Sequence, residues 1–161
     1  MEEKIKKGKL TAKELLERYA NGERDFRGVD LSFANLSNTD LQNADFSHAI
    51  LNFVDLKGAN LSGAILENSS LSGANLKGAK LVSANLMNVK FIGADLSNAD
   101  LSNANLMKAD LFAANLKDTN FSNAILMDAN LNSINLDSAN FKDANLSGAR
   151  IVVGNIIVEV K

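Results

Sequence analysis

The segment Ala94-Asp95-Leu96-Ser97-Asn98-Ala99-Asp100-Leu101-Ser102-Asn103 contains one five-residue pattern twice, and the same period runs through most of the chain. Leu, Phe or Ile occupies every fifth position from Phe26 to Ile151, which makes 26 consecutive units without an insertion. We call this residue the centre of its unit. The unbroken period predicts one repetitive domain over residues 25–158, between an N-terminal segment of residues 1–24 and a C-terminal tail of residues 159–161.

A period of five excludes both regular secondary structures over the length of the repeat. In an α-helix, five residues rotate the chain by about 500°, so successive centres would point in all directions around the axis. In one long strand, an odd spacing would place successive centres on opposite faces, and half of them would face water. The chain therefore has to turn once in every unit.

Three further positions of the unit support such a turn. The residue two before the centre is Ala in 18 units, which suits a crowded interior. The residue just before the centre is Asp or Asn in 19 units, and the second residue after it is Gly in seven units and Asn in seven more. Asp and Asn can hydrogen-bond the local backbone, and Gly and Asn tolerate positive φ, so these positions predict a tight turn.

Rare residues recur at a spacing of twenty, as in Phe26 and Phe46 or in Met87, Met107 and Met127. This spacing predicts four units per coil, with like side chains stacked between coils that lie about 4.8 Å apart. The expected architecture is an all-β solenoid of six to seven coils.

The run of A(D/N)LXX units resembles the pentapeptide repeat proteins over about four-fifths of the chain. The resemblance implies a right-handed, quadrilateral parallel β-helix. The segment from Leu15 to Phe26 is also similar to the lead-in of many cyanobacterial members. The family implies little about function, because most members have no known activity and the best-understood ones are non-catalytic inhibitors of a protein target.

The sequence Thr11-Ala12-Lys13-Glu14 is a capping box that predicts the start of a helix, and Gly22 predicts its end. The apolar residues of this segment share one helical face. Because an open solenoid end exposes its core and an unpaired strand edge, we expect this face to cover the first coil. The residues of the predicted N-terminal cap are Thr11, Glu14, Leu15, Leu16 and Tyr19.

The C-terminal segment is short, apolar and rich in β-branched residues, and it keeps the period, with Ile156 as a possible further centre. Such a terminus on an uncapped solenoid predicts a tail-to-tail homodimer, and the alternative is that it only closes the last coil. The predicted dimer interface consists of Ile151, Val152, Val153, Ile156, Ile157, Val158 and Val160.

The position just after the centre is normally Ser, Lys or Asn, but apolar side chains occupy it in several later coils. Contiguous exposed apolar area usually marks an interface, and Met and Phe suit an adaptable contact. We therefore predict a patch that binds a protein partner, with tolerated drift or an altered turn as the alternative. The patch consists of Val82, Met87, Ile92, Met107, Phe112, Ile125 and Met127.

Composition narrows the classes of function. The net charge of −2 favours neither nucleic acid nor an anionic membrane as a partner, and without Cys no thiolate chemistry is available. No apolar run suits a secretory signal or a membrane helix, so a cytoplasmic protein is expected. His48 is the single His, and Asp serves the turns, so we expect no catalytic residue, metal or cofactor.

The sequence therefore predicts a non-enzymatic scaffold that binds a protein, with a purely structural scaffold as another possibility. A further alternative, suggested by gyrase-protecting members of the resembled family, is a DNA mimic that occupies the DNA site of a type II topoisomerase. From Phe26 onward the chain has 13 acidic and 10 basic residues, and Lys57, Lys77 and Lys117 share one column. This surface poorly copies a duplex that carries one charge per about 1.7 Å.

Overall fold

The computed structural model describes residues 8–132, 135–153 and 156–159. Its regular elements are α1 (Ala12–Ala20), β1 (Arg150–Val153) and β2 (Ile156–Glu159). From α1 to β1 the chain forms isolated parallel bridges, in which the residue before a centre pairs with the residue twenty further on, as Asp45 does with Ile65. Four units therefore make one coil, in agreement with the spacing of the rare residues.

The positions on the solenoid are named from this geometry. Coil 1 comprises residues 26–45, and each later coil begins twenty residues further on. Faces 1, 2, 3 and 4 of coil 1 carry the centres Phe26, Leu31, Leu36 and Leu41. The two residues after a centre form the turn to the next face, so edge 1/2 follows face 1 and edge 4/1 follows face 4. The residue just before a centre is the outer position of its face.

The interior is a stack of nearly identical layers. All centres of coils 1 to 5 are buried, and most of the small residues two positions before them are buried as well. Aromatic centres also stack, with ring centroids 5.5 Å apart for Phe26 and Phe46 and 5.0 Å apart for Phe121 and Phe141. Because each centre is covered by the coils above and below it, stability is shared along the whole stack.

Every described unit from Gly28 to Gly148 turns in the same way. The second residue after the centre has a positive φ, for example 59° at Asn98 and 60° at Asn103. In all nineteen units with Asp or Asn before the centre, its Oδ1 accepts a hydrogen bond from the N–H two residues on, as Asp95 does from Ser97 at 3.0 Å. The side chain before the centre thus fixes the backbone after it.

The helix α1 begins at a capping box. Thr11 Oγ1 accepts a hydrogen bond from the Glu14 N–H at 3.2 Å, and Glu14 Oε2 accepts one from the Thr11 N–H at 2.8 Å. Leu15 is fully buried against the core of the first coils, and Leu16 is half-buried beside it. The Tyr19 hydroxyl donates to a backbone carbonyl of coil 1 at 3.1 Å. The apolar face of α1 therefore lies against the solenoid.

A short extended segment before α1 continues this closure. Lys9 forms a parallel bridge with Asp30, and the Leu10 N–H donates to the Asp30 carbonyl at 2.9 Å. The backbone at the start of face 2 is thereby paired on the side away from coil 2.

The C-terminal end is built differently. Parallel bridges continue as far as Arg150, and β1 then pairs antiparallel with β2, with Val153 opposite Ile156. Because the chain reverses direction between the two strands, Ile156 belongs to a hairpin and not to a further parallel coil. Ile151 is half-buried against the core, whereas Val160 lies outside the described residues. The dimer interface and the limits of the repeat domain stay predictions.

Four carboxyl groups near the N-terminal end have pKa values below their ordinary range. The largest cause in each case is a hydrogen bond: from the Thr11 backbone to Glu14, and from the side chains of Arg18 to Glu23, Arg27 to Asp25 and Ser32 to Asp30. A carboxyl group whose pKa is lower in the folded state than in the unfolded state stabilises the fold at pH values above its unfolded pKa. This stabilisation is lost as the pH falls through the folded pKa.

We predict that acid loosens the N-terminal end first. Lowering the pH from about 6 to about 3 should reduce amide-exchange protection in α1 and coil 1 before coils 3 to 5, because the shifted carboxyls lie at that end. Hydrogen exchange followed by NMR, corrected for intrinsic rates, measures this. Glu14→Gln, which does not titrate, should flatten the pH dependence in α1. Equal loss of protection in all coils would contradict the prediction.

Candidate interaction surface

Exposed large apolar side chains are gathered on two adjoining faces of the solenoid. Face 2 and edge 2/3 carry Phe33, Ile50, Phe53, Ile92 and Phe112, and the outer position of face 1 carries Ile65 and Ile125. The outer positions of faces 3 and 4 are Asn, Asp or Lys in each coil from 1 to 5. The exposed large apolar side chains of the described residues are therefore confined to one side of the solenoid, where they alternate with polar and charged side chains.

The methionine column, which comprises Met87, Met107 and Met127, lies on edge 1/2 in coils 4, 5 and 6. All three side chains are half-buried. Ile125 lies on face 1 beside this column, two residues before Met127. These four members of the predicted patch come together in the structure.

The other three members of the predicted patch lie elsewhere. Ile92 and Phe112 lie on edge 2/3, and the outer positions Lys90 and Asp110 of face 2 separate them from the methionine column. Val82 lies on edge 4/1, on the far side of face 1. The patch is therefore divided into three columns on three edges.

The structure adds Phe33 and Phe53, which the sequence analysis did not assign to the patch. Their rings stack on edge 2/3 with centroids 5.2 Å apart and an interplanar angle of 10°. The side chains are 74% and 57% exposed, and the φ values are 64° and 56°. Bulky residues rarely adopt this region. In the sequence, these two residues stand out because Phe occupies a turn position that is Gly or Asn in fourteen units.

Gly73 provides the space next to this stack. A Cβ atom at residue 73 would overlap Cε1 and Cδ1 of Phe53, so the ring lies directly against the backbone of coil 3. Gly93, one coil further along the same edge, has a similar φ of 65° and no atom within 4 Å of its Cβ position. The two glycines therefore share a backbone conformation but not a neighbour.

Charged groups flank edge 2/3 on both sides. The outer positions include Asp30, Lys90 and Asp110 on face 2 and Asp55 and Asp95 on face 3. Hydrogen bonds from the Ser32 side chain and backbone hold the pKa of Asp30 below its ordinary range. Asp55 Oδ1 accepts from Asn75 Nδ2 at 3.0 Å, and Asp95 Oδ1 accepts from Asn115 Nδ2 at 3.1 Å. Bonds between coils thus hold the carboxylates of face 3 in place.

Other polar residues have simpler surroundings. His48 is exposed on edge 1/2 with a φ of 60°, and Lys57, Lys77 and Lys117 form an exposed column on edge 3/4. Within the part of the chain that the structure describes, no three His, Asp or Glu side chains are placed to hold a metal ion. The same residues include no helix with the length and apolar character needed to cross a membrane.

We predict that Gly73→Ala destabilises the fold more than Gly93→Ala. Both changes introduce a side chain at positive φ, which costs about 1 kcal/mol, but only the first also displaces the Phe53 ring. Thermal or urea unfolding of the two variants measures the difference. Phe53→Asn in the Gly73→Ala background should remove most of the extra loss. Equal destabilisation by the two Ala substitutions would contradict the role of Gly73 beside the ring.

Known families and structures share this repeat. Residues 25–63 and 55–91 match the Pentapeptide repeats family with eight copies, and residues 84–156 match the Pentapeptide repeat region family. A crystal structure of a pentapeptide repeat protein from Nostoc Pcc 7120 (alr5209) is 32% identical, with a TM-score of 0.52. The match covers 84% of this chain and 98% of that one.

Two further solved structures come from cyanobacteria. HetL of Nostoc sp. strain PCC 7120, a pentapeptide repeat protein involved in heterocyst differentiation regulation, is 28% identical over 91% of this chain and 99% of that chain, with a TM-score of 0.30. Rfr23 of Cyanothece 51142 is 25% identical over 87% and 94%, with a TM-score of 0.44. No curated protein matches the chain. Since the family matches extend from residue 25 to residue 156, this chain belongs to the pentapeptide repeat family.

Proposed function

We propose that this protein is a non-catalytic scaffold that binds another protein along faces 1 and 2. The carrying observation is the methionine column on edge 1/2, with the exposed Ile65 and Ile125 on face 1 and Ile50 on face 2, opposite two polar faces. The core does not account for these side chains, because they lie outside the stack of buried centres. Exposed apolar patches on an otherwise polar surface usually mark an interface.

The methionine column is the part of this surface best suited to a protein partner. Its three side chains follow one another at the coil spacing of about 4.8 Å. The backbone at two of them is fixed, since Asn85 and Asn105 accept hydrogen bonds from the N–H groups of Met87 and Met107 at 3.3 and 3.1 Å. Met side chains adapt to a partner, while a rigid backbone lowers the entropy lost on binding.

DNA mimicry has less support from the same surface. A mimic of a duplex needs closely spaced negative charge, whereas the column of Lys57, Lys77 and Lys117 puts exposed positive charge along one edge.

The proposal includes a right-handed winding of the solenoid, because the chain belongs to the pentapeptide repeat family, and it includes a cytoplasmic location. A homodimer through the C-terminal hairpin is a competing arrangement for self-association.

We predict that Met107→Lys with Met127→Lys abolishes partner binding and leaves the fold intact. The full chain serves as bait, and a captured protein is purified and its affinity measured by calorimetry. Two desolvated Lys side chains should weaken binding by at least about tenfold. Thermal unfolding should stay close to that of the wild type, because the side chains point away from the core.

The matched control is Ser102→Lys with Ser122→Lys, which adds the same charge at the same turn position on edge 4/1. This control should bind the partner as the wild type does. A partner that binds both double variants equally well would show that the methionine column is not its site, and a bait that captures no specific protein would contradict the scaffold proposal.

A further inference from the structure

We propose that edge 2/3 is a homodimer interface, in which two copies of the chain lie side by side with their solenoid axes parallel and in the same direction. The interface is the aromatic ridge, which comprises Phe33, Phe53, Gly73, Ile92 and Phe112 and extends over coils 1 to 5. This inference rests on the proposed scaffold function. It assigns the ridge to a second copy and leaves the methionine column to another partner.

Folding of a single copy does not explain Phe33 and Phe53. The second position of each turn requires positive φ, which Gly and Asn adopt readily and Phe does not. Both side chains are more than half exposed, so their burial within one copy contributes little. Stacking of the two rings offsets only part of the backbone strain. The pair therefore points to a contact outside the chain.

The spacing of the ridge indicates the shape of its partner. The ridge presents one large apolar side chain in each of coils 1, 2, 4 and 5, and successive coils lie about 4.8 Å apart. A second copy has this spacing itself, so two parallel ridges stay in register over all five coils. An α-helix, with a pitch of 5.4 Å, would lose about 0.6 Å of register at each coil. A second solenoid therefore fits better than a helix.

The flanking charges select the parallel direction. In a parallel pair with a twofold axis along the solenoids, face 2 of one copy meets face 3 of the other at the same coil. Lys90 then faces Asp95 of the second copy in coil 4, and this pair occurs twice. The remaining charged outer positions meet uncharged ones: Asp30 meets Asn35, Asp55 meets Ile50 and Asp110 meets Asn115. Opposite charges are paired, and over coils 1 to 5 no like charges are opposed at these positions.

An antiparallel pair centred on coil 3 would bring the same apolar residues together, but it would also place like charges opposite one another. Coil 1 of one chain would meet coil 5 of the other, and coil 2 would meet coil 4. Each face would lie against the same face of the second chain. Asp30 would then face Asp110, and Asp55 would face Asp95. Like charges placed opposite one another oppose association. The charges therefore favour the parallel arrangement, whereas apolar contact alone would not distinguish it from the antiparallel one.

An introduced thiol tests which edges meet. The natural chain has no Cys, so Ser32→Cys gives a single thiol on edge 2/3 in coil 1. In the parallel dimer the two thiols lie at the same level, and mild oxidation should give a disulfide-linked dimer on a non-reducing gel. Ser122→Cys on edge 4/1 is the control and should stay unlinked. An antiparallel or tail-to-tail dimer would hold the two Ser32→Cys sites far apart.

Two sets of variants test the contacts, with light scattering after size exclusion as the measurement. Phe33→Asn with Phe53→Asn should convert the dimer to a folded monomer whose melting temperature no longer depends on protein concentration, because Asn suits positive φ. His48→Asn, at the same turn position of edge 1/2, should keep the dimer. Lys90→Glu should weaken the dimer about tenfold or more, and Asp95→Asn added to it should restore most of the affinity, since Asn keeps the turn.

The outcomes separate the competing arrangements. A wild-type chain that is monomeric at about 100 μM, or a dimer that withstands Phe33→Asn with Phe53→Asn, overturns the proposal. A dimer that withstands those changes but dissociates on Ile157→Glu in β2 assigns self-association to the C-terminal hairpin. The methionine-column variants test the scaffold function independently, because their readout is partner affinity and not the mass of the protein alone.

Discussion

Backbone hydrogen bonds between coils are the constraint on which the other features of this protein depend. Each coil donates to the next at fixed intervals, as the Leu101 N–H does to the Asn120 carbonyl at 2.8 Å. Such a ladder can continue only if every coil has the same number of residues and turns at the same places. The repeat of turn-forming side chains, the small inner residues and the absence of Pro all follow from this requirement.

The turn chemistry shows how local side chains meet that requirement. Where Asp or Asn precedes the centre, its side chain holds the following N–H group. Ser70 replaces it in coil 3, and Asn52 of the coil below supplies the acceptor instead, receiving hydrogen bonds from the Ser70 hydroxyl at 2.6 Å and the Ser72 N–H at 3.2 Å. The Ser70 unit, which departs from the pattern, is thus stabilised by its neighbour in the stack, because corresponding positions of successive coils lie next to each other.

The sequence predicts the interior of this protein better than its surface. Period, coil length, turn positions and the limits of α1 are local consequences of residue type, and the structure agrees with them. Ile156 keeps the period, yet its segment forms a hairpin, because a β-branched run satisfies a strand of either direction. Val82 and Phe112 occupy equivalent turn positions, but their relation to the methionine column depends on which edge each occupies. Which side chains are adjacent on the surface depends on how four units close into one coil, and the pattern along the chain does not show it.

The division of each coil into four equal units has a consequence for how such a chain can change in length. Insertion of five residues would preserve the local pattern but rotate everything after it by a quarter turn, so that Met107 would move from edge 1/2 to edge 2/3 while Met87 stayed in place. Insertion of twenty residues would lengthen the solenoid and leave every column in phase. Insertions and deletions are therefore expected to be tolerated by the fold in steps of five, but by the surface only in steps of twenty.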